Sequence, residues 1–176
     1  MRRTSFDNWP CSIARTVDVL GDGWTLLVLR EVYYGQSHFD GFINTLGIAR
    51  NTLTDRLRRL EEARILHRRA YQTDPTRYEY LPTDKGRDFF SVLAALNAWG
   101  DRWLTDDGGV PVVLHHHTCG HDTHAEVVCS SCGQPLRHEF TSARPGPGYP
   151  ARLLDHPAVQ ARFTSSSRHA DRDASD

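Results

Sequence analysis

The sequence predicts a mostly helical α+β fold, on three observations. Apolar residues recur at helical spacing through most of the first hundred positions, one pair of strand-like runs interrupts them, and a Cys/His-rich stretch of different character follows. In chain order, the first helix opens at Pro10, whose fixed φ and missing N–H suit a first turn, and continues through Ile13, Val17 and Leu20. Gly21-Asp22-Gly23 interrupts it. A second helix starts at Trp24 and runs to about Tyr34; WTLLVLREVYY is apolar on more than one side, as a central core helix must be. Phe39, Phe42, Ile43 and Leu46 are spaced for a short helix that buries one stripe, and Gly47 breaks it. In the next helix Leu53, Leu57 and Leu60 share one face, while Asn51, Thr52, Thr54, Asp55, Arg58 and Arg59 occupy the other. ILHRRAYQ and RYEYL then flank Thr73-Asp74-Pro75-Thr76, a turn between two strands. Thr83 is placed to cap a long helix with a broad apolar face: Phe89, Val92, Leu93, Leu96, Trp99 and Trp103.

Two short helices joined at a glycine, the second basic, followed at once by a basic hairpin, make a winged helix-turn-helix, a DNA-binding module. The net charge of −1 conceals the relevant asymmetry. Between Ile48 and Arg77 there are eight Arg (50, 56, 58, 59, 64, 68, 69, 77) against four acids (Asp55, Glu61, Glu62, Asp74), a local excess of +4. Local sign governs attraction to phosphate. Arg50, Asn51 and Thr52 sit at the end of the recognition helix that enters the major groove, where Asn pairs with adenine and Arg with guanine. Thr54, Asp55 and Arg58 continue that face, Arg56 runs along the groove edge, and Arg59 meets phosphate. Arg68, Arg69, Tyr71, Thr76 and Arg77 cluster at the hairpin turn, placed for backbone or minor-groove contacts. For Arg64 and Arg68, pairing with Glu61 or Glu62 is the competing expectation. The stripe on the last helix is too wide for one small module to bury, which predicts a homodimer.

No stretch reaches the ~18 apolar residues that read as a membrane-span candidate, and the basic N-terminus lacks an apolar signal region. Four cysteines, three of them bunched, do not form a secreted disulfide framework, so the expected compartment is the cytoplasm. Three segments are expected: a DNA-binding and dimerisation domain over 1–106, an appendage over 107–140, and a flexible tail over 141–176 in which ARLLDHPAVQARF forms only a transient helix.

The appendage holds six of the ten His and three of the four Cys. Cys129-Ser-Ser-Cys132-Gly133 has the spacing of a zinc knuckle, and the intervening run returns Cys119 to it. The fourth ligand is open: His121 is preferred, with His117, His115 and His138 also in reach. The expected role of zinc here is structural, folding a segment too small for a core, with a metal-sensing site or ordinary free thiols as the competing expectations. His124-Ala-Glu126 before Cys129-x-x-Cys132 imitates a zinc-deaminase signature, but only two residues separate the halves and no Pro precedes Cys129. No other nucleophile–base set is evident, so no enzyme is expected.

CSIARTVDVLGDGWTLLVLREVYYG, FDGFINTLGIARNTLTDRLRRLEEARIL and RYEYLPTDKG together resemble the HxlR-type winged-helix transcriptional regulators of bacteria, over roughly residues 8–104. The resemblance implies a homodimer on a pseudo-palindromic operator, a repressor released by an electrophile, an oxidant or a small aromatic ligand. Cys11, at the start of the first helix, is the candidate sensor, because a helix N-terminus activates a thiol; the alternative is a small buried apolar residue. For a small ligand, Trp24, Phe89, Trp99 and Trp103 are candidate pocket walls. Two positions depart from the family pattern. Ala49 stands where a Ser or Thr commonly caps the recognition helix, and Arg64 stands in a turn that usually has a Gly nearby. The competing function is a protein-interaction module that docks a partner through the appendage.

Overall fold

The computed structural model of the chain describes residues 5–106 and 108–165. Two compact units divide at Ala125/Glu126, inside the Cys/His stretch rather than at either composition boundary. Asp107 and the tail beyond 165 lie outside the described residues.

The first unit runs α1 (Ser12–Leu20), α2 (Gly23–Tyr33), α3 (Phe39–Leu46), α4 (Arg50–Glu62), β1 (Leu66–Thr73), β2 (Thr76–Pro82) and α5 (Asp84–Trp103), then a small hairpin of β3 (Leu114–His116) and β4 (His121–Thr123). This is the mostly helical winged helix-turn-helix that the periodicities predict. α2 is its central helix: Val28, Leu29 and Val32 are buried against Phe42 of α3, Ile48 of the turn that follows it, the α4 residues Leu53, Leu57 and Leu60, and Ile65 and Leu66. Asp22 caps α2, its Oδ1 accepting the Thr25 N–H at 3.3 Å. Gly47 ends α3 at φ 63°, a conformation that costs glycine nothing and turns the chain into α4.

β1 and β2 pair antiparallel from Leu66↔Pro82 to Thr73↔Thr76, with a register shift between Ala70 and Gln72. The residues before α3 join them, as the Tyr80 N–H donates to the Ser37 carbonyl at 2.8 Å. Between α4 and β1, Arg64 has φ 55°, the one non-glycine with positive φ among the described residues. The missing glycine is therefore real, and arginine carries the strain. Thr83 caps α5 as expected: its Oγ1 accepts the Gly86 N–H at 3.1 Å and lies 2.7 Å from the Arg64 carbonyl. Gly86 packs on that same turn, where a Cβ would meet the Ile65 carbonyl oxygen at 2.3 Å.

α1 has no buried residue. Ile13 is 76% exposed, and on α5 Leu96, Trp99 and Trp103 are 47%, 58% and 62% exposed. Only Ala94 and Gly86 of α5 are buried, so the broad stripe read from the sequence stays largely uncovered by its own unit.

In the second unit, Val128 and Pro135 bridge across a tight turn, a single 3-10 turn follows at His138–Phe140, and α6 (Ala151–Leu154) and α7 (Pro157–Ser165) complete it. Where the sequence suggested a transient helix the structure has two, with Tyr149 and Phe163 edge-to-face at 5.4 Å.

Candidate nucleic-acid interface

The interface is built on α4. Leu53, Leu57 and Leu60 are less than 2% exposed and anchor one face of the helix in the core, which fixes the opposite face outward. Ala49 supplies no side-chain cap. Arg50, Asn51, Thr54 and Arg58 are exposed, while Thr52, Asp55, Arg56 and Arg59 are half-buried.

The cations on this face are ordered by a carboxylate. Asp55 pairs with Arg58 at 2.7 Å, with Arg59 at 2.9 Å and with Arg56. The Arg58 hydrogen bond holds the Asp55 carboxyl below its usual range, burial opposes this, and the charges of Arg59, Arg56 and Arg58 add to the lowering. Arg58 also reaches Glu62 at 2.6 Å, and Arg50 reaches Asp40 at 3.0 Å. Such exposed pairs are screened by solvent, add little to stability and can exchange for phosphate or a base edge. Asp55 was expected on the base-reading face; the structure makes it the residue that aligns three arginines. Thr54 donates its hydroxyl to the Arg50 carbonyl at 2.9 Å, so toward a base it offers a methyl and lone pairs.

Arg56 departs from expectation. Its side chain is only 16% exposed and pairs with Asp22, the cap of α2, as well as with Asp55. Expected along the groove edge, it instead ties α4 to the start of α2 within the fold. Burial pushes the Asp22 carboxyl up, but the Arg56 guanidinium and the Thr25 N–H outweigh this, and the net direction is down.

In the wing, Arg69 pairs across the strands with Glu79 at 2.8 Å. Arg68 lies over the Tyr78 ring at 4.7 Å and 3.5 Å from Glu61, so the expected intrachain pairing is present while the side chain stays exposed. The Thr76 hydroxyl donates to the Thr73 carbonyl at 3.1 Å and closes the turn, and Arg77 is exposed beside it. Wing and helix thus present arginines from two elements fixed to one core.

The remaining predicted residues are scattered. Cys11 is the N-cap residue of α1, a free and half-buried thiol. Of the four aromatics proposed as a pocket wall, only Phe89 lines the open cavity of about 510 Å³ between α1 and α5, beside Arg15, Leu20, Lys85 and Val92; Trp24, Trp99 and Trp103 do not. Cys119 and His121 belong to the first unit and Cys129 and Cys132 to the second. Among the described residues no group of three or more His, Cys, Asp or Glu is arranged to hold a metal ion. The backbone N–H groups of Ser131 and Cys132 point at the Cys129 sulfur and hold its thiol below the usual value.

A recognition helix seated by leucines, an arginine-bearing wing and a helix-turn-helix core define a winged-helix DNA-binding protein. Residues 19–107 match the HxlR-like helix-turn-helix family, and the chain belongs to it. It is 40% identical over 142 residues to the HTH-type transcriptional regulator Rv3095 of Mycobacterium tuberculosis, covering 81% of this chain and 90% of that one. A match of that length runs past the winged helix into the Cys/His stretch. Among solved structures, PA1607, described as a candidate transcription factor, superposes with a TM-score of 0.72 at 33% identity, covering 81% of this chain and all of that one. The reduced form of the redox regulator HypR superposes with a TM-score of 0.50 at 29% identity, covering 53% of this chain and 96% of that one. The chain is thus a transcriptional regulator of the helix-turn-helix type, and no helix among its described residues is long and apolar enough to cross a membrane.

Proposed function

We propose that the chain acts in the cytoplasm as a homodimeric repressor on a pseudo-palindromic operator, released by a thiol-reactive or small-molecule signal. The observation that carries the DNA reading is the division of α4, with three leucines in the core and Arg50, Asn51, Thr54 and Arg58 exposed opposite them. Arg50 and Asn51 read base edges; Arg59, Arg68, Arg69 and Arg77 contact phosphate. The dimer reading rests on the exposed apolar residues of α1 and α5, among them Ile13, Val17, Leu96, Trp99 and Trp103, which a second subunit would cover. A two-fold dimer presents two recognition helices to two half-sites about one helical turn apart.

The signal reading rests on Cys11. Oxidation or alkylation at the N-cap of α1, beside the exposed Ile13 and Val17, alters a dimer contact and with it the spacing of the recognition helices. HypR, a described redox regulator, shares this fold. The test is operator binding by fluorescence anisotropy with and without a mild thiol oxidant. Loss of binding in the wild type but not in Cys11→Ser supports the thiol switch. Equal response of both, or of neither, removes it and leaves the cavity between α1 and α5 as the effector site.

A further inference from the structure

His38 sits where the helix-turn-helix meets the wing. It directly precedes α3, exposed, and its side chain makes no cap to the helix. On one side lies the start of the recognition helix. Arg50 of α4 pairs with Asp40 at 3.0 Å and lies over the Phe39 ring at 5.7 Å, and Phe39 and Asp40 are the two residues that follow His38. On the other side lies the wing: the His38 ring stands edge-on to Tyr71 of β1 at 4.6 Å, and the His38 backbone bridges Glu79 of β2. The Gln36 amide oxygen accepts the His38 N–H at 3.1 Å and fixes the approach to α3.

A recognition helix occupies the major groove and a wing reaches the minor groove beside it, and a row of phosphates separates the two grooves. A surface residue held between α4 and the wing therefore faces that row. Given the DNA-binding reading above, on which this rests, we infer that His38 is a phosphate contact that takes up a proton when the chain binds DNA, coupling affinity to pH. The surroundings suit the role. Nδ1 of the ring lies 3.3 Å from the Ser37 hydroxyl, and among the described residues none is hydrogen-bonded to Nε2, which leaves that nitrogen for a phosphate oxygen. The neighbouring acids are already engaged: Asp40 of α3 with Arg50, and Glu79 of β2 with Arg69 of β1 at 2.8 Å. Neither forms an ion pair with the imidazole, and Tyr71 meets it with an uncharged ring. Arg50 and Arg69, one on either side, draw the same row of phosphates. A phosphate favours the charged ring, so the complex binds more protons than the free partners. The contact is complete below the pH at which imidazole ordinarily titrates, about 6.5, and is lost as pH rises through that range. One such contact releases close to one counterion, which at about 0.15 M salt is worth about fivefold in affinity per subunit.

The experiment is fluorescence anisotropy of the full chain at about pH 6 and about pH 8, over a salt series. The probes are a duplex selected from a random pool and an unselected duplex of equal length. In acid, wild type is expected to bind both duplexes up to about fivefold tighter per subunit than His38→Ala does, and to match it at the higher pH. The salt slope of wild type steepens by about one per subunit on acidification, and that of His38→Ala does not. His38→Lys, charged throughout, binds at the higher pH as wild type binds in acid. A histidine that only packs against Tyr71 gives a different pattern: His38→Ala is weak to the same degree at both pH values. That pattern overturns the inference, as does a wild type whose pH and salt responses His38→Ala reproduces. A wild type that binds neither duplex overturns the DNA reading and this inference together. Far-UV circular dichroism and urea denaturation of each variant at both pH values separate loss of contact from loss of fold.

Discussion

The Asp22–Arg56 pair gives the most informative stability experiment, because one carboxylate does two separable things. Asp22 caps α2 through the Thr25 N–H, and it binds Arg56 of the recognition helix. Asp22→Ala removes both; Asp22→Asn keeps an acceptor for the cap and removes the charge. Loss of an N-cap costs about 0.5–2 kcal/mol. The ion pair adds less, about 0.2–1 kcal/mol, since Asp22 is 36% exposed and Arg56 keeps Asp55 as a partner. Asp22→Ala is therefore expected to lose about 1–3 kcal/mol and Asp22→Asn less than about 1 kcal/mol, by urea denaturation at fixed protomer concentration. The dependence on pH has a definite sign. The Asp22 carboxyl is depressed in the folded state below its ordinary 3.8, so its contribution is full above that value and disappears as pH falls through the folded pKa. The gap between wild type and Asp22→Asn should narrow on acidification below pH 4. A loss for Asp22→Asn equal to that for Asp22→Ala, or a gap that widens in acid, refutes this account of the joint between α2 and α4.

Other expectations follow from single positions. Gly86→Ala drives a Cβ into the Ile65 carbonyl and should destabilise by about 1–3 kcal/mol, again by urea denaturation. Arg64→Gly relieves the left-handed arginine and should stabilise by up to about 1 kcal/mol, an effect absent from Arg64→Ala. Leu96→Glu places a charge on the exposed stripe of α5; on the proposed dimer interface it should shift sedimentation velocity toward monomer relative to wild type at equal concentration, with unchanged helicity. Arg69→Ala, on the wing, should weaken binding to all duplexes alike and lower the slope of log affinity against log salt by about one per subunit.

Much of the first unit was legible because its signals are local. The leucines of α4 declare their face by spacing, Thr83 announces α5 three residues before the N–H it accepts, and Arg64 sits where a glycine was missed. Long-range pairings left no such mark. Asp22 and Arg56 are 34 residues apart, so Arg56 looked like one more groove-edge cation until the fold brought it to the α2 cap. Asp55 looked like a base-reading residue because its spacing places it on the polar face, yet three neighbouring arginines claim its carboxylate. Thr76 likewise closes its own turn. The exposure of α1 and α5 was half-visible, since periodicity shows that a face is apolar but not what covers it.

The central claim, sequence-specific DNA recognition by α4 and the wing, is tested most directly by fluorescence anisotropy on duplexes selected from a random pool. Binding is measured over a salt series for wild type, Asn51→Ala and Arg69→Ala. The account predicts selection of a two-fold-symmetric site, with steep salt dependence in the wild type. Asn51→Ala should cost about 1–3 kcal/mol and relax one base position per half-site, while Arg69→Ala changes the slope and not the preferred sequence. Selection that enriches no sequence, with affinity indifferent to salt and to both substitutions, would contradict it.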